Sequence, residues 1–131
     1  MENRKFFVVT GGPGAGKTTV LMTLQRLGYQ VVPEVARQII QEQVASGGTA
    51  LPWQDRESYT SLMLQRSIQS FVDNTPAKSV TFADRGIPDT LCYARLTGLA
   101  DHETILAACH EYRYAQLVFN RPVLARNLSY R

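Results

Sequence analysis

The sequence predicts an α/β fold: an open, mostly parallel β-sheet with helices on both faces. Short apolar runs alternate along the chain with longer segments whose apolar residues recur at helical spacing, and a glycine-rich segment joins the first run to the first helix. Strands that alternate with helices are joined by crossover connections, which give parallel pairing. The 131 residues, 44% of them hydrophobic, suffice for one core, so we expect a single domain over 1–131.

The first half of the chain contains two predicted strands, each followed by a helix. Residues 6–9 form an apolar run with β-branched and aromatic members, typical of a strand buried on both faces. Apolar residues then recur at helical spacing from Lys17, and Gly28 is placed to end that helix. A second strand is predicted at 29–32, and the helix that follows it closes at 46–48.

The second half begins with the longest predicted helix, over 55–72, where apolar residues recur at i, i+4, i+7 and i+8. A third buried strand is predicted at 80–83, followed by helices over 88–96 and 101–114. Residues 116–119 form a fourth, weaker strand. Four strands are therefore evident in the sequence.

The net charge of +3 is unevenly distributed, because residues 112–131 contain four arginines and no acidic residue. A duplex-binding protein is expected to spread basic residues over a folded face, so no nucleic-acid partner is expected. Two interpretations of the basic segment stay open. Either its arginines bind a phosphate-bearing ligand, with Arg113, Arg121 and Arg126 as candidate transition-state cations, or it is a solvated C-terminus.

Cysteine use and targeting signals indicate a cytoplasmic protein. Cys92 and Cys109 lie in predicted helices, and two cysteines cannot form the dense disulfide framework of a small secreted domain, so buried free thiols are expected. No apolar run approaches the length of a membrane-spanning helix, and the residues after Met1 lack a signal-peptide core. We expect no transmembrane segment.

Residues 11–18 match the pattern G-x-x-x-x-G-K-[ST] in full. The match follows a predicted strand and opens a helix, so that successive backbone N–H groups and the helix N-terminus face one anion. We expect Lys17 to reach the β- and γ-phosphates of a nucleoside triphosphate and the Thr18 hydroxyl to ligate Mg²⁺. The predicted nucleotide-binding residues are Gly12, Pro13, Gly14, Ala15, Gly16, Lys17, Thr18 and Thr19.

Polar side chains follow the second and third predicted strands, at the edge where open parallel sheets bind ligands. Asp84 stands where a carboxylate would hold Mg²⁺, or it caps a strand-to-loop turn. Glu34 accepts a proton from a substrate hydroxyl, or it complements the N-terminus of the helix that carries Arg37. Arg85 binds a substrate or phosphate oxygen, or pairs with a neighbouring carboxylate. The predicted catalytic residues are Lys17, Asp84, Glu34 and Arg85, and the predicted metal ligands are Thr18 and Asp84.

Two other groups of side chains have simpler interpretations. His102 and His110 have no partner at ligand spacing and are expected at the surface. Trp53, Tyr59 and Met63 form either a lipid- or base-contacting patch or part of a helix core, and the core is the favoured interpretation.

The phosphate loop, residues 33–37 and residues 82–90 together resemble the NadR-like family of small P-loop ATPases, the AAA-domain group related to ribosylnicotinamide kinase. The resemblance runs from about Lys5 to Phe119. It implies a P-loop NTPase three-layer sandwich, with a five-stranded parallel sheet and Mg²⁺-dependent nucleotide binding. It also implies that Glu34 and Asp84 lie at the acceptor and metal side of the cleft. Some members are kinases of small hydroxylated substrates, many are predicted ATPases, and some are linked to GTP and phospholipid.

The C-terminal end departs from the family pattern. Members continue past the fourth strand with an arginine-bearing lid, a fifth strand and a closing helix, whereas this chain runs through 120–126 and stops at Arg131. The fifth strand is therefore expected to be missing, with the basic segment 112–131 as the remnant of a lid. An open sheet edge then favours self-association.

Four functions are compatible with these features. The chain is a phosphotransferase that moves the γ-phosphoryl of ATP to a small hydroxylated or phosphorylated metabolite, or an ATPase that uses hydrolysis as a signal. Alternatively, it is a GTP-responsive or lipid-associated binding module, or a truncated non-catalytic domain. Guanine readers carry N-K-x-D and D-x-x-G, and residues 120–123 and 84–87 each lack the closing residue, so ATP is favoured over GTP. The preferred function is Mg²⁺-dependent ATP binding with hydrolysis or transfer.

Overall fold

The computed structural model describes residues 1–11, 16–76, 78–99 and 102–119. Nine elements follow one another in this part of the chain, with strands and helices alternating much as the sequence predicts. They are β1 (Glu2–Thr10), α1 (Lys17–Arg26), β2 (Gln30–Val32), α2 (Val35–Ser46), α3 (Arg56–Asp73), β3 (Thr81–Asp84), α4 (Ile87–Leu96), α5 (Glu103–Glu111) and β4 (Arg113–Phe119).

The four strands form one sheet in the order β2-β3-β1-β4, and every pair of neighbours is parallel. Strand β1 lies inside the sheet, where Phe6, Val8 and Val9 are almost completely buried. The predicted α/β fold with a parallel sheet and crossover helices is thereby confirmed. Because β3 pairs with β1, Val9 stands directly beside Asp84 at the carboxyl end of the two strands.

Helices α3, α4 and α5 cover one face of the sheet. Phe6 and Val8 project into a core that includes Phe71 and Ile87 from the helices, all with at most 1% of their surface exposed. Successive strand residues alternate between faces, so Phe7 lies on the opposite side, where its ring stacks on Phe82. Helix α1 packs against β1 and β2. The layered arrangement agrees with a P-loop type of α/β fold.

The last helix ends earlier than the sequence predicts. Helix α5 ends at Glu111, and residues 113–114 belong to β4. The Arg113 N–H donates to the Met1 carbonyl at 2.9 Å, and the Tyr114 ring packs edge-on against Phe71, so tertiary contacts override local periodicity. Arg113 therefore lies at the amino end of β4, 3.8 Å from Glu2, and not at the carboxyl edge that a transition-state cation would need.

The structure also bears on the expectations for the cysteines, for His102 and for a membrane-spanning helix. Cys92 is exposed rather than buried, whereas Cys109 is half-buried and burial raises the pKa of its thiol. His102 is not a plain surface residue, since its Nε2 is buried and has no hydrogen-bond partner among the described residues. Within the described ranges, no helix is both long and apolar enough to cross a membrane. The basic residues Arg121, Arg126 and Arg131 lie outside the described part of the chain.

Candidate functional site

The site is built at the carboxyl ends of β1 and β3. After β1 the chain runs to β2 at one edge of the sheet, and after β3 it runs to β4 at the other edge. Because the two connections run in opposite directions, a crevice opens between the carboxyl ends of β1 and β3. Gly11 follows β1, and the Arg85 N–H donates to the Val9 carbonyl at 3.0 Å. Residues that are far apart in the sequence therefore meet at one point.

Helix α1 begins at this edge as the motif predicts. Gly16 is its N-cap and has a φ of 79°, a left-handed conformation that is strained for residues with a Cβ atom. Lys17 is the first helical residue, and Thr18 and Thr19 follow on the exposed first turn. The predicted residues Gly12, Pro13, Gly14 and Ala15 lie outside the described residues.

The side chains of Lys17 and Asp84 form an ion pair, Nζ to Oδ1. Only 12% of the Lys17 side chain and 20% of the Asp84 side chain are exposed, so water screens this pair less than it would a surface pair. The sequence predicts both residues for the site but not their direct contact. The pair occupies the position between the start of α1 and the end of β3.

Arg85 links three segments of the site. It is a non-glycine residue with a φ of 65°, and its guanidinium donates to the Gly11 carbonyl at 3.0 Å and to Glu34 Oε1 at 3.4 Å. Glu34 is the N-cap residue of α2, but its side chain makes no capping hydrogen bond and faces Arg85 instead. Arg37 is exposed on α2. The structure thus brings Glu34, Arg85 and the beginning of the phosphate loop together.

Asp89 is a site residue to which the sequence analysis assigned no role. Its carboxylate accepts from the Thr10 hydroxyl and, at 2.8 Å, from the Gly86 N–H. It thereby joins the end of β1 to the start of α4. The signal in the sequence is its position three residues after the N-cap Gly86, where an acidic side chain closes a capping box.

A cavity of about 180 Å³ lies beside these polar groups, between α2, α3 and α4. Tyr59, Met63 and Tyr93 form its apolar wall, and Glu34 and Asp84 line its polar side. The edge of the Tyr59 ring meets Tyr93, with centroids 5.7 Å apart, and burial raises the pKa of Tyr59. Tyr59 and Met63 are core residues, as expected, and they also border the cavity.

Trp53 takes no part in this wall. Its side chain is 67% exposed, so the expectation that it joins a helix core with Tyr59 and Met63 is wrong. It precedes α3 at a turn rather than within the helix, and helical spacing therefore does not direct it inward.

The oxygen donors at the site fit Mg²⁺ better than a softer metal. The Asp84 carboxylate and the Thr18 hydroxyl are hard ligands of the kind that Mg²⁺ prefers. No group of three or more His, Cys, Asp or Glu side chains that could hold a metal occurs among the residues described. A Mg²⁺ ion here would therefore complete its coordination with phosphate oxygens and water.

The parallel sheet and the glycine-initiated helix after its first strand define a P-loop nucleotide-binding domain. The chain belongs to the AAA-domain family, whose pattern matches residues 6–126. A solved structure similar to this chain is TT1252 from Thermus thermophilus, with 16% identity, coverage of 98% of this chain and 96% of that one, and a TM-score of 0.41. The sequence matches no curated protein.

Proposed function

We propose that this protein binds Mg²⁺ and ATP and transfers the γ-phosphoryl group to a small hydroxyl-bearing metabolite. The observation that carries the proposal is the contact between Lys17 and Asp84 at the crevice between β1 and β3. It brings a phosphate-binding cation and a metal-binding carboxylate to one point, next to a cavity of about 180 Å³. The resemblance to NadR-like ATPases supports the same function.

The roles follow from the position of each group. Backbone N–H groups of residues 12–16 cradle the phosphates, and Lys17 leaves Asp84 to bind the β- and γ-phosphates. Thr18 and Asp84 hold Mg²⁺, which neutralises charge on the phosphate oxygens. ATP is favoured over GTP because the guanine-reading patterns are incomplete.

In this proposal Glu34 acts as the general base. Its carboxylate takes the proton of the acceptor hydroxyl while the acceptor oxygen bonds to the γ-phosphorus. The bond between that phosphorus and the β–γ bridging oxygen then breaks, and ADP leaves. Arg85 holds the carboxylate in place through its 3.4 Å contact, and in this proposal its guanidinium also stabilises charge on the transferred group.

The test measures ADP formation with Mg²⁺ and ATP alone and then with a panel of alcohols. ADP release that depends on an acceptor supports transfer, whereas release without one indicates an ATPase. Absence of any release, with nucleotide bound, indicates a non-catalytic domain or a GTP-responsive or lipid-associated module. A parallel series with GTP and anionic vesicles separates these outcomes.

Lys17→Ala tests the phosphate site itself. Saturating ligand stabilises a fold by about 2.7 kcal/mol at a hundredfold excess over Kd, so ATP with Mg²⁺ raises Tm of the native protein by several degrees. The variant is expected to lose this shift, and Lys78→Ala, at an exposed lysine, to keep it. A variant that retains the shift would exclude this binding mode.

Glu34→Gln separates catalysis from binding. The amide keeps the size of the side chain but cannot take a proton, so transfer falls by about 100-fold or more while ATP affinity changes little. Equal losses in both would assign Glu34 a structural role. Gln38→Glu, on an exposed position of the same helix, is the control.

Self-association through β4 is a further part of the proposal. Among the described strands β4 pairs only with β1, and Ala115, Gln116 and Leu117 are exposed along it. Sedimentation velocity of native protein and of Gln116→Lys tests this, because a charge on an exposed edge strand opposes pairing with a second copy. The variant is expected to be more monomeric, and an unchanged distribution would contradict the idea.

A further inference from the structure

Asp89 joins the end of β1 to the start of α4 with both oxygens of its carboxylate. Oδ1 accepts a hydrogen bond from the Thr10 hydroxyl, and Oδ2 accepts one at 2.8 Å from the Gly86 N–H. Thr10 is the last residue of β1, and the next residue, Gly11, opens the glycine-rich motif. Because hydrogen bonds to a charged acceptor are stronger than neutral ones, this carboxylate fixes the point where the chain enters the phosphate loop.

Arg85 holds the residues on either side of that point. Its backbone N–H donates to the Val9 carbonyl at 3.0 Å, and its guanidinium donates to the Gly11 carbonyl at 3.0 Å. Together with the bond from the Thr10 hydroxyl, these contacts attach three successive residues to the segment 85–89. The path by which the chain enters the phosphate loop therefore depends on this segment.

The order of this entry matters for the binding of phosphate. Phosphate binding requires successive backbone N–H groups that point at one anion. Residues 11–18 contain four glycines, and a glycine-rich segment loses more conformational entropy than other sequences when its backbone is fixed. Helix α1 fixes the carboxyl end of the motif, and the bond between Thr10 and Asp89 fixes its amino end. A nucleotide then has fewer residues to order when it binds, which raises its affinity.

The charge of Asp89 acts in the opposite direction. Asp89 forms no ion pair with any described residue, and both of its hydrogen-bond donors are neutral. A carboxylate without a cationic partner, next to the entry of the phosphate loop, repels an anionic nucleotide. Loss of the charge alone would raise the affinity for ATP, whereas loss of the ordering would lower it. The opposite signs allow the two effects to be separated by experiment.

We propose that Asp89 is a positioning residue for the phosphate loop: through the Thr10 hydroxyl it holds the entry of the loop in the conformation that binds nucleotide. In this role the carboxylate acts through Thr10 and does not contact the nucleotide. The inference rests on the nucleotide binding of the proposed function, but not on phosphoryl transfer.

Thr10→Val tests the inference without changing any charge. Valine has nearly the shape of threonine but no hydroxyl, so the Kd for ATP with Mg²⁺ is expected to rise about tenfold. Calorimetric titration measures the Kd at a temperature where the variant is folded. Thr10→Ser keeps the hydroxyl and is expected to restore most of the affinity.

Thr97→Val is the matched control for a loss of stability alone. It removes a hydroxyl that donates at 2.8 Å to the Tyr93 carbonyl, near the opposite end of α4. This variant is expected to unfold more easily than native protein but to bind ATP with the native Kd. Equal rises of Kd in Thr97→Val and Thr10→Val would reduce the effect to general destabilisation and overturn the inference.

Asp89→Ala separates positioning from charge. The variant is expected to bind ATP more weakly, because the loss of ordering outweighs the loss of repulsion. Combined with Thr10→Val, it should add little to the rise of Kd, since both substitutions break the same hydrogen bond. Tighter binding of ATP by Asp89→Ala would show that only the charge matters. If Asp89→Ala does not fold, Thr10→Val decides the question alone.

The outcomes distinguish this inference from the proposed function. Native protein that binds ATP, together with an unchanged Kd in Thr10→Val, would overturn the inference alone. Native protein that binds no ATP would overturn the inference and the proposed function together. Because the measurement is of binding, failure of phosphoryl transfer is a separate result that concerns only the proposed function.

Discussion

Lys17 and Asp84 lie 67 positions apart in the sequence, and their side chains form an ion pair. The pair neutralises the charges of both side chains. In the proposed function Lys17 binds phosphate and Asp84 binds Mg²⁺, so nucleotide binding is expected to break this contact. If Mg²⁺ binds with the nucleotide, it replaces Lys17 as the positive partner of Asp84, which links the metal to nucleotide affinity.

Asp84→Asn is expected to abolish the effect of Mg²⁺ on ATP affinity. Without the carboxylate, Lys17 is free to bind phosphate, so ATP binds about as tightly without Mg²⁺ as with it, whereas native protein binds better with the metal. Calorimetric titration with and without a chelator measures this. Asp73→Asn, at an exposed position, should behave like native protein. A variant that still gains affinity from Mg²⁺ would remove Asp84 from the metal site.

Gly86→Ala is expected to destabilise the fold by about 1 to 3 kcal/mol. A Cβ atom there would lie 2.8 Å from both the Tyr114 hydroxyl oxygen and Val8 Cγ2, too close for an ordinary contact. Chemical denaturation measures the loss. In the control Gly48→Ala, the new Cβ meets only the flexible end of the Gln43 side chain, so a smaller loss is expected. Equal losses would contradict the packing argument.

Phe71→Ala should cost about 3 to 5 kcal/mol of unfolding free energy. The Phe71 side chain is fully buried, and its ring contacts the rings of Phe6, Tyr112 and Tyr114. Val72→Ala, at the next position of α3 and 37% exposed, should cost far less. Similar midpoints of urea denaturation for the two variants would refute the central role of Phe71.

Because the Tyr114 hydroxyl is buried, the fold is expected to lose stability at alkaline pH. Burial raises the pKa of its hydroxyl above the ordinary value near 10, so the folded state resists ionisation more than the unfolded state. The stability that this group contributes is complete below about pH 10 and is lost as pH rises further. Tyr114→Phe cannot ionise and is expected to be less stable at neutral pH, because the Ile87 N–H loses its 3.3 Å partner.

The difference in unfolding free energy between native protein and Tyr114→Phe should therefore narrow above about pH 10. Urea denaturation from neutral pH to pH 11 or so measures it. Tyr29→Phe, at an exposed tyrosine, serves as the control and should show a constant difference. A constant difference for Tyr114→Phe as well would mean that its burial does not affect ionisation.

Local patterns predicted much of the fold. Apolar runs and helical spacing identified all four strands and five helices, because periodicity depends on neighbouring residues that fold together. The same patterns failed at residues 112–114, where pairing with β1 and the packing of Tyr114 decide the conformation. They also failed at Trp53, which lies in a turn with no period to direct it.

The sequence by itself determined the glycine-rich loop, the helix that starts at Lys17, and the acidic and basic residues at the strand ends. Only the tertiary structure decided which of these meet. Strand β3 beside β1 joins Asp84 to Lys17, and the left-handed Arg85 joins Glu34 to Gly11. The packing of α2, α3 and α4 makes Tyr59 a cavity wall. The physical reason is that such contacts depend on strand order and helix packing across the whole chain, which local spacing does not specify.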